Sequence, residues 1–372
     1  MPSDSDGLIK EAERVMTICN ACRYCEGHCA VFPAMALRIH FTAGNLRYLA
    51  NLCHNCGSCF HHCQYAPPHA FDVNVPRVFA DLRAETYQRY AWPAPLARLF
   101  RRNGRAAAIL TAVSMVALVV LTVVVAGPAL RGGHGGSFYA VVPHHLMVGL
   151  FGAVGLYVAV ALAIGVIRFW RDVGAGDPVS IRLSTVVRAS GDVLRLRYLG
   201  GGGGDGCTYP TEAPSQVRRR FHHLTFYGFL LCLAATTIAA IYHQLGRMAP
   251  YPLWSIPVVL GILGGTGLVT GPIGLLLLKQ RSDPEPYRRS QFAMDIAFLV
   301  LLFAAAGTGF AVLCLRDTAA MAILLAVHLG VVLGLFLTLP YGKFVHSLYR
   351  FAALVRYAGE RSRPPLRPGP DA

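Results

Sequence analysis

Six long apolar stretches constrain this chain more than anything else in it. They run over about 106–130, 141–170, 221–245, 253–279, 292–315 and 319–345. Each is near or above the ~20 residues a helix needs to cross the hydrocarbon core of a bilayer. In lipid every backbone donor must be satisfied within the segment, so these stretches predict six transmembrane helices and little sheet. The composition agrees: 54% of residues are hydrophobic and only 14% charged, against roughly 25% charged in soluble domains. The first ~100 residues differ, being polar and cysteine-rich.

The net charge of +15 does not point to nucleic acid, because no compact basic region with interleaved aromatics stands out. The arginines instead flank the apolar runs. Residues 81–105 carry Arg83, Arg89, Arg98, Arg101, Arg102 and Arg105, the loop 171–220 carries eight, and 279–289 carries Lys279, Arg281, Arg288 and Arg289. The alternate turns carry one each, Arg131, Arg247 and Arg316. The positive-inside rule then places both termini on the cytoplasmic side of a bacterial inner membrane. The N-terminus lacks a basic n-region followed by an apolar h-region, so no cleaved signal peptide is expected.

Two segments repeat one spacing. "CNACRYCEGHC" (19–29) and "CHNCGSCFHHC" (53–63) each read C-x2-C-x2-C-x3-C. Three thiolates at that spacing wrap three corners of an iron–sulphur cube, and in two-cluster ferredoxins the fourth comes from the other quartet. On that pattern Cys19, Cys22, Cys25 and Cys63 hold one [4Fe–4S] cluster, and Cys53, Cys56, Cys59 and Cys29 hold the other. Zinc sites use two separated C-x2-C pairs rather than a triple plus a fourth, twice over. The proline that usually follows the fourth cysteine is missing: Ala30 and Gln64 stand there. His28, His54, His61 and His62 are read as solvated or hydrogen-bonded. Helices are expected over 8–18 and 76–90.

Histidines inside spans are functional candidates. Spans three and six run in opposite directions. His223 (or His222) begins one and His346 ends the other, while His243 and His328 lie 20 residues after His223 and 18 before His346. At ~1.5 Å per residue the depths match, so His223 with His346 and His243 with His328 are candidate axial pairs for one or two b-type haems. His144 or His145 could replace the outer ligand. Asp295 is either an interfacial carboxylate or a proton relay for a quinone.

The loop 171–220 predicts a surface helix from Asp177 and Pro178, rich in Arg among Val, Ile and Leu. The glycine run after it contains G-x-G-x-x-G at 201–206, but "TYPTEAP" follows rather than a helix, so a flexible link is expected, and Cys207 a free thiol. The glycines of span four are read as close helix packing. No flavin or nicotinamide fingerprint and no hydrolytic triad is present. Electrons must therefore come from another protein.

The stretches "VMTICNACRYCEGHCAVFPAM" (15–35), "CHNCGSCFHHCQYAPPHAF" (53–71) and "RRRFHHLTFYGFLLCLAATTIAAIYHQL" (218–245) resemble the tricarballylate/citrate utilisation protein B family. "HLGVVLGLFLTLPYGKFVH" (328–346) is similar, more loosely, to the haem-bearing last helix of nitrate reductase gamma-type subunits. The resemblance implies an electron-transfer subunit that reoxidises the FADH2 of a partner FAD-dependent dehydrogenase and feeds the quinone pool. A related fused form resembles an enzyme of cobalamin ring contraction. A heterodisulfide-reductase-like respiratory complex or a membrane redox sensor would use the same centres, whereas a transporter would need polar groups at mid-membrane that are scarce here. The expected fold is mainly α: a helical two-cluster ferredoxin-like head (1–90), a juxtamembrane hinge (91–105), a six-helix cytochrome b-like bundle (106–349) and a cytoplasmic tail (350–372).

Overall fold

The computed structural model describes residues 4–100, 103–127, 137–175, 178–201, 206–287 and 292–362. Arg101, Arg102, Arg131, Asp177, Arg288, Arg289, most of the glycine run and the last ten residues lie outside them. Among the described residues the chain is almost wholly helical. The one sheet pairs two-residue strands β1 (Cys207–Thr208) and β2 (Pro214–Ser215) antiparallel.

The head comprises α1 (Asp4–Cys22), α2 (Val31–Ala36), α3 (Ala43–Leu52), α4 (Ser58–His61), α5 (Val75–Arg89) and α6 (Ala94–Leu99). Its starts follow local chemistry. Thr42 caps α3 by accepting from the Asn45 amide, and Asn74 caps α5 by accepting from the Arg77 amide, with Pro76 in the first turn. Each such cap satisfies an amide that the helix cannot.

Among the described residues six helices are long and apolar enough to cross a membrane. They are α7 (Asn103–Ala126), α8 (His144–Gly174), α10 (Val217–Gln244), α11 (Ile256–Gln280), α12 (Phe292–Leu315) and α13 (Met321–Thr338). Between α8 and α10 lies α9 (Leu183–Leu194). In α13, 61% of the apolar window is buried, against 11% to 39% in the others, so α13 is the bundle's centre. The rest turn valine and leucine outward, as Ile109, Val116 and Val124 of α7 do. Polar donors along the spans bond within their own helix, for example Thr122 to the Leu118 carbonyl.

The glycines of the fourth span allow backbone contact. A Cβ on Gly228 of α10 would stand 2.9 Å from the Gly264 oxygen of α11. Gly264, Gly267, Gly271 and Gly274 all face α10, in agreement with the packing reading of this stripe.

Three boundaries differ from the sequence reading. The sixth span stops at Thr338 rather than running to 345. Pro340 has no amide to continue the helix, and the amides of Tyr341 and Gly342 fold back on the Thr338 carbonyl. Residues 345–360 then form a separate helix, α14 (Val345–Glu360), where a tail was expected from 350. Its Tyr349, Ala353, Leu354 and Tyr357 are buried in one core with Met16, Leu49, Phe79 and Leu82 of the head. Phe169 and Val173 of α8 join the same core. The 31 residues of α8 span about 46 Å at 1.5 Å each, longer than a bilayer core of ~30 Å, and the excess enters the head. The surface helix in the long loop begins at Leu183 rather than Pro178, where the Arg182 amide donates to Thr185 Oγ1. It packs against α14 and leaves Leu183, Val187 and Leu194 exposed.

Candidate metal centres

The two cysteine segments begin differently and converge on one geometry. Cys19 and Cys22 lie on the last turn of α1, whereas Cys53 is the extended residue that ends α3. The residue after the second cysteine is left-handed in both, Arg23 at φ 54° and Gly57 at φ 83°. Glycine is required at 57 on a second count, since a Cβ there would sit 2.7 Å from the Thr208 oxygen. His28 and His62, each just before a fourth cysteine, meet edge to face at 5.2 Å. There the two segments cross. After Cys29, helix α2 starts almost at once, and the Val31 and Phe32 amides point at the Cys29 sulphur.

The crossing sorts the thiols. A cavity of about 260 Å³ is lined by Cys19, Cys22, Cys25 and Cys63, with Cys59 reaching it as well. A smaller, more enclosed cleft is lined by Cys29, Cys53, Cys56 and Cys59. Each set thus takes three cysteines from one segment and the fourth from the other. Among the described residues no three His, Cys, Asp or Glu side chains are close enough to share a single ion; the thiols ring two spaces instead.

Burial sets their protonation. It pushes Cys19 and Cys25 up to about 12, and the neighbouring thiols add to it. Cys29, Cys56 and Cys59 are raised by burial first and then by neighbouring thiols, Cys53 among them. Four thiolates cannot share a dry pocket without a cationic group among them. An iron–sulphur cube, with an iron at every thiolate, supplies that charge. The donor sets therefore fit two [4Fe–4S] clusters. His54 Nδ1 pairs with the Leu52 carbonyl at 3.2 Å and His62 Nδ1 with the Ser58 carbonyl at 2.8 Å, as hydrogen-bonded rather than ligating histidines.

The loop of the second set is held from the membrane side. Arg350 of α14 donates to the Cys53 carbonyl at 2.6 Å, and Arg83 of α5 to the same oxygen at 2.9 Å. Arg218, at the start of α10, donates to the Asn55 carbonyl at 2.7 Å and the His54 carbonyl at 3.3 Å. Sequence reasoning missed these three. Arg218 sat in a basic run explained by topology, and Arg350 fell in the supposed tail. Cys207 is a free thiol, as expected, but a fully buried one, in a cluster with Cys56, Tyr209 and Tyr287.

The histidines form separate groups. His222 and His346 face each other with ring centroids 6.3 Å apart and planes at 75°. Two metal–imidazole bonds of ~2 Å, end to end, put the centroids ~6 Å apart. His346 Nδ1 lies 2.6 Å from the Lys343 carbonyl, which makes it the protonated nitrogen and leaves Nε2 with a lone pair. Burial, then Arg350 and Lys343, lowers His346 well below the usual histidine range, so the ring is neutral, as a ligand must be. His222 Nδ1 is buried without a partner. His223, the neighbour named first on sequence grounds, turns toward Tyr227 instead.

At the far end the expected pair is not brought together. His243 stacks on His144 at 3.6 Å with planes 27° apart, beside Tyr139. His328 pairs with Thr308 Oγ1 at 3.0 Å, and His145 is exposed. The cause is helix order: α10 packs on α11, α11 on α12 and α12 on α13, so His243 and His328 stand on helices that are not neighbours. Asp295 pairs with Lys279 at 2.6 Å and Lys343 at 2.8 Å in a partly buried ion triad.

Two family descriptions match the chain: "Citrate utilization protein B" over residues 97–366 and "Citrate utilization protein B Fer4-like domain" over residues 12–89. The Escherichia coli protein "Citrate utilization protein B" is 49% identical over 354 residues, covering 95% of this chain and 93% of that protein. No solved structure matches.

Proposed function

The chain belongs to the citrate utilization protein B family, and on that footing we propose that it is a membrane electron carrier of citrate or tricarballylate utilisation. It reoxidises the FADH2 of a partner FAD-dependent dehydrogenase and delivers the electrons to the quinone pool. Two [4Fe–4S] clusters and a b-type haem, when bound, divide the two-electron oxidation of flavin into single-electron transfers. One observation carries the reading: the second cysteine loop is bonded by Arg218 and Arg350 to the two helices that bear His222 and His346.

Each residue has a part. Cys19, Cys22, Cys25 and Cys63 would hold one cluster and Cys29, Cys53, Cys56 and Cys59 the other. His222 and His346 would hold the inner haem; the stacked His144 and His243, and the solitary His328, supply no comparable facing pair. The left-handed turns at Arg23 and Gly57 aim the thiols inward. The bundle anchors the head in lipid, with the Arg- and Lys-rich loops and both termini on the cytoplasmic side of the inner membrane.

The test is cofactor analysis of anaerobically purified full-length protein. Non-haem iron and acid-labile sulphide in equal amounts, with a b-type pyridine haemochrome, are expected. His222→Ala and His346→Ala each lose the haem, and His223→Ala keeps it. Stoichiometric zinc without iron overturns the proposal, and unchanged haem in both His222 and His346 variants overturns the ligand pair.

A further inference from the structure

The two cysteine sets sit in unlike electrostatic surroundings. No Lys, Arg, Asp or Glu lines the cavity of Cys19, Cys22, Cys25 and Cys63, whose walls include Ile18, Tyr24, Phe32 and Tyr65. It opens toward solvent, where Tyr24 is 67% exposed. The set of Cys29, Cys53, Cys56 and Cys59 is enclosed, and three guanidiniums close on its loop. Arg83, Arg218 and Arg350 donate to the carbonyls of Cys53, His54 and Asn55, and Arg83 also to that of Ala50 at 3.2 Å. No carboxylate among the described residues forms an ion pair with any of the three. Nearby Asp295 is taken by Lys279 and Lys343. Arg350 Nε is buried with no hydrogen-bond partner. Arg83 is buried and Arg218 and Arg350 are partly buried; three such cations with no carboxylate partner favour negative charge close by, and four thiolates around an iron–sulphur cube carry it.

We propose that Arg83, Arg218 and Arg350 raise the reduction potential of the cluster at the membrane-side cysteine set above that at the open set, and so fix the direction of electron flow through the head. This rests on the two-cluster reading above. Adding one electron makes a cluster more negative by one charge, and three fixed cations favour that state. Burial opposes it, because the low dielectric penalises the added charge. The same low dielectric strengthens attraction to each of three cations, and their dipolar pull through the loop carbonyls adds to it, so attraction wins. One electron leaves the open set, which is oxidised, and reduces the membrane-side set; no bond or proton changes. The open set faces the solvent from which a partner flavoprotein approaches. The membrane-side set lies against the helices carrying His222 and His346. The sequence left that order open.

The guanidiniums act through the loop they grip, so they are positioning residues and their readout is a potential. The experiment is an anaerobic redox titration of the full chain in lipid nanodiscs, followed by electron paramagnetic resonance. Wild type, Arg350→Gln, Arg350→Lys and Arg218→Gln are compared at matched iron content. Cys22→Ala, which lacks a thiol of the open set alone, assigns the signals. Two potentials are expected, the higher from the membrane-side set. It falls in Arg350→Gln and Arg218→Gln, returns in Arg350→Lys, and the open-set potential stays still throughout. Equal potentials, a reversed order, or equal shifts in both signals overturn the inference while leaving the two-cluster reading intact. Absence of any iron–sulphur signal in wild type overturns the reading beneath it.

Discussion

Glu360 is the last residue of α14, and its carboxylate fastens that helix to the head. It accepts from Arg38 at 2.5 Å and from the Tyr48 hydroxyl at 2.9 Å, and pairs with Arg356 at 3.0 Å. Both guanidiniums also lie over the Tyr48 ring, at 4.8 and 5.3 Å. The Arg38, Arg356 and Glu360 side chains are 7%, 1% and 2% accessible. Replacing Glu360 by Gln keeps the shape and leaves two buried guanidiniums short of their shared carboxylate. Breaking a buried ion pair from one side costs about 3–5 kcal/mol. Tyr48→Phe removes one hydrogen bond to a charged group, about 1.5–3 kcal/mol. Glu360→Gln should therefore lower the melting temperature of the detergent-solubilised protein further than Tyr48→Phe. The double variant should fall by less than the sum, since both act on one network. Scanning fluorimetry reads the midpoint, and limited proteolysis reads release of α14. A midpoint for Glu360→Gln equal to wild type, or a milder loss than in Tyr48→Phe, would refute the latch.

Cys63→Ser should remove the cluster of the Cys19 set and Cys29→Ser that of the Cys53 set, each leaving about half the iron, with resonance spectra showing which survives. Gly228→Leu forces α10 from α11 where a Cβ already lies 2.9 Å from the Gly264 oxygen; a loss of about 1–3 kcal/mol should appear as lower midpoint and yield. Asp295→Asn leaves Lys279 and Lys343 facing each other; with the carboxylate 22% accessible, about 3 kcal/mol is expected, at the low end for a broken buried pair.

Much of this fold is legible in the sequence. The spans announce themselves by length and hydropathy, and the cysteine spacing specifies a crossed pair of sets because the cube dictates it. The glycines of 261–274 were readable as packing for the same reason: few other uses exist for them in a lipid-facing helix. What stayed hidden lies where hydropathy is a poor guide. Between His328 and His346 the stretch carries one charge, Lys343, so the break at Pro340 vanished into a long span, and α14 with it. That one miss concealed Arg350, placed His346 on the wrong helix and disguised the head's core as a tail. At the head end α14 brings His346 to His222, the alternative to His223. The histidine depths failed at the far end because depth says nothing about which helices are neighbours, and α11 and α12 pack between α10 and α13.

The central claim is that this chain conducts electrons from its head to a quinone. Purified protein in nanodiscs, reduced anaerobically with dithionite and cleared of reductant, should show bleached iron–sulphur absorbance and a reduced b-haem band. Adding a soluble menaquinone analogue should reoxidise both, and His346→Ala should slow the recovery of the iron–sulphur absorbance. Centres that reduce but never reoxidise with quinone in the wild type, or the absence of reducible centres, would contradict the account.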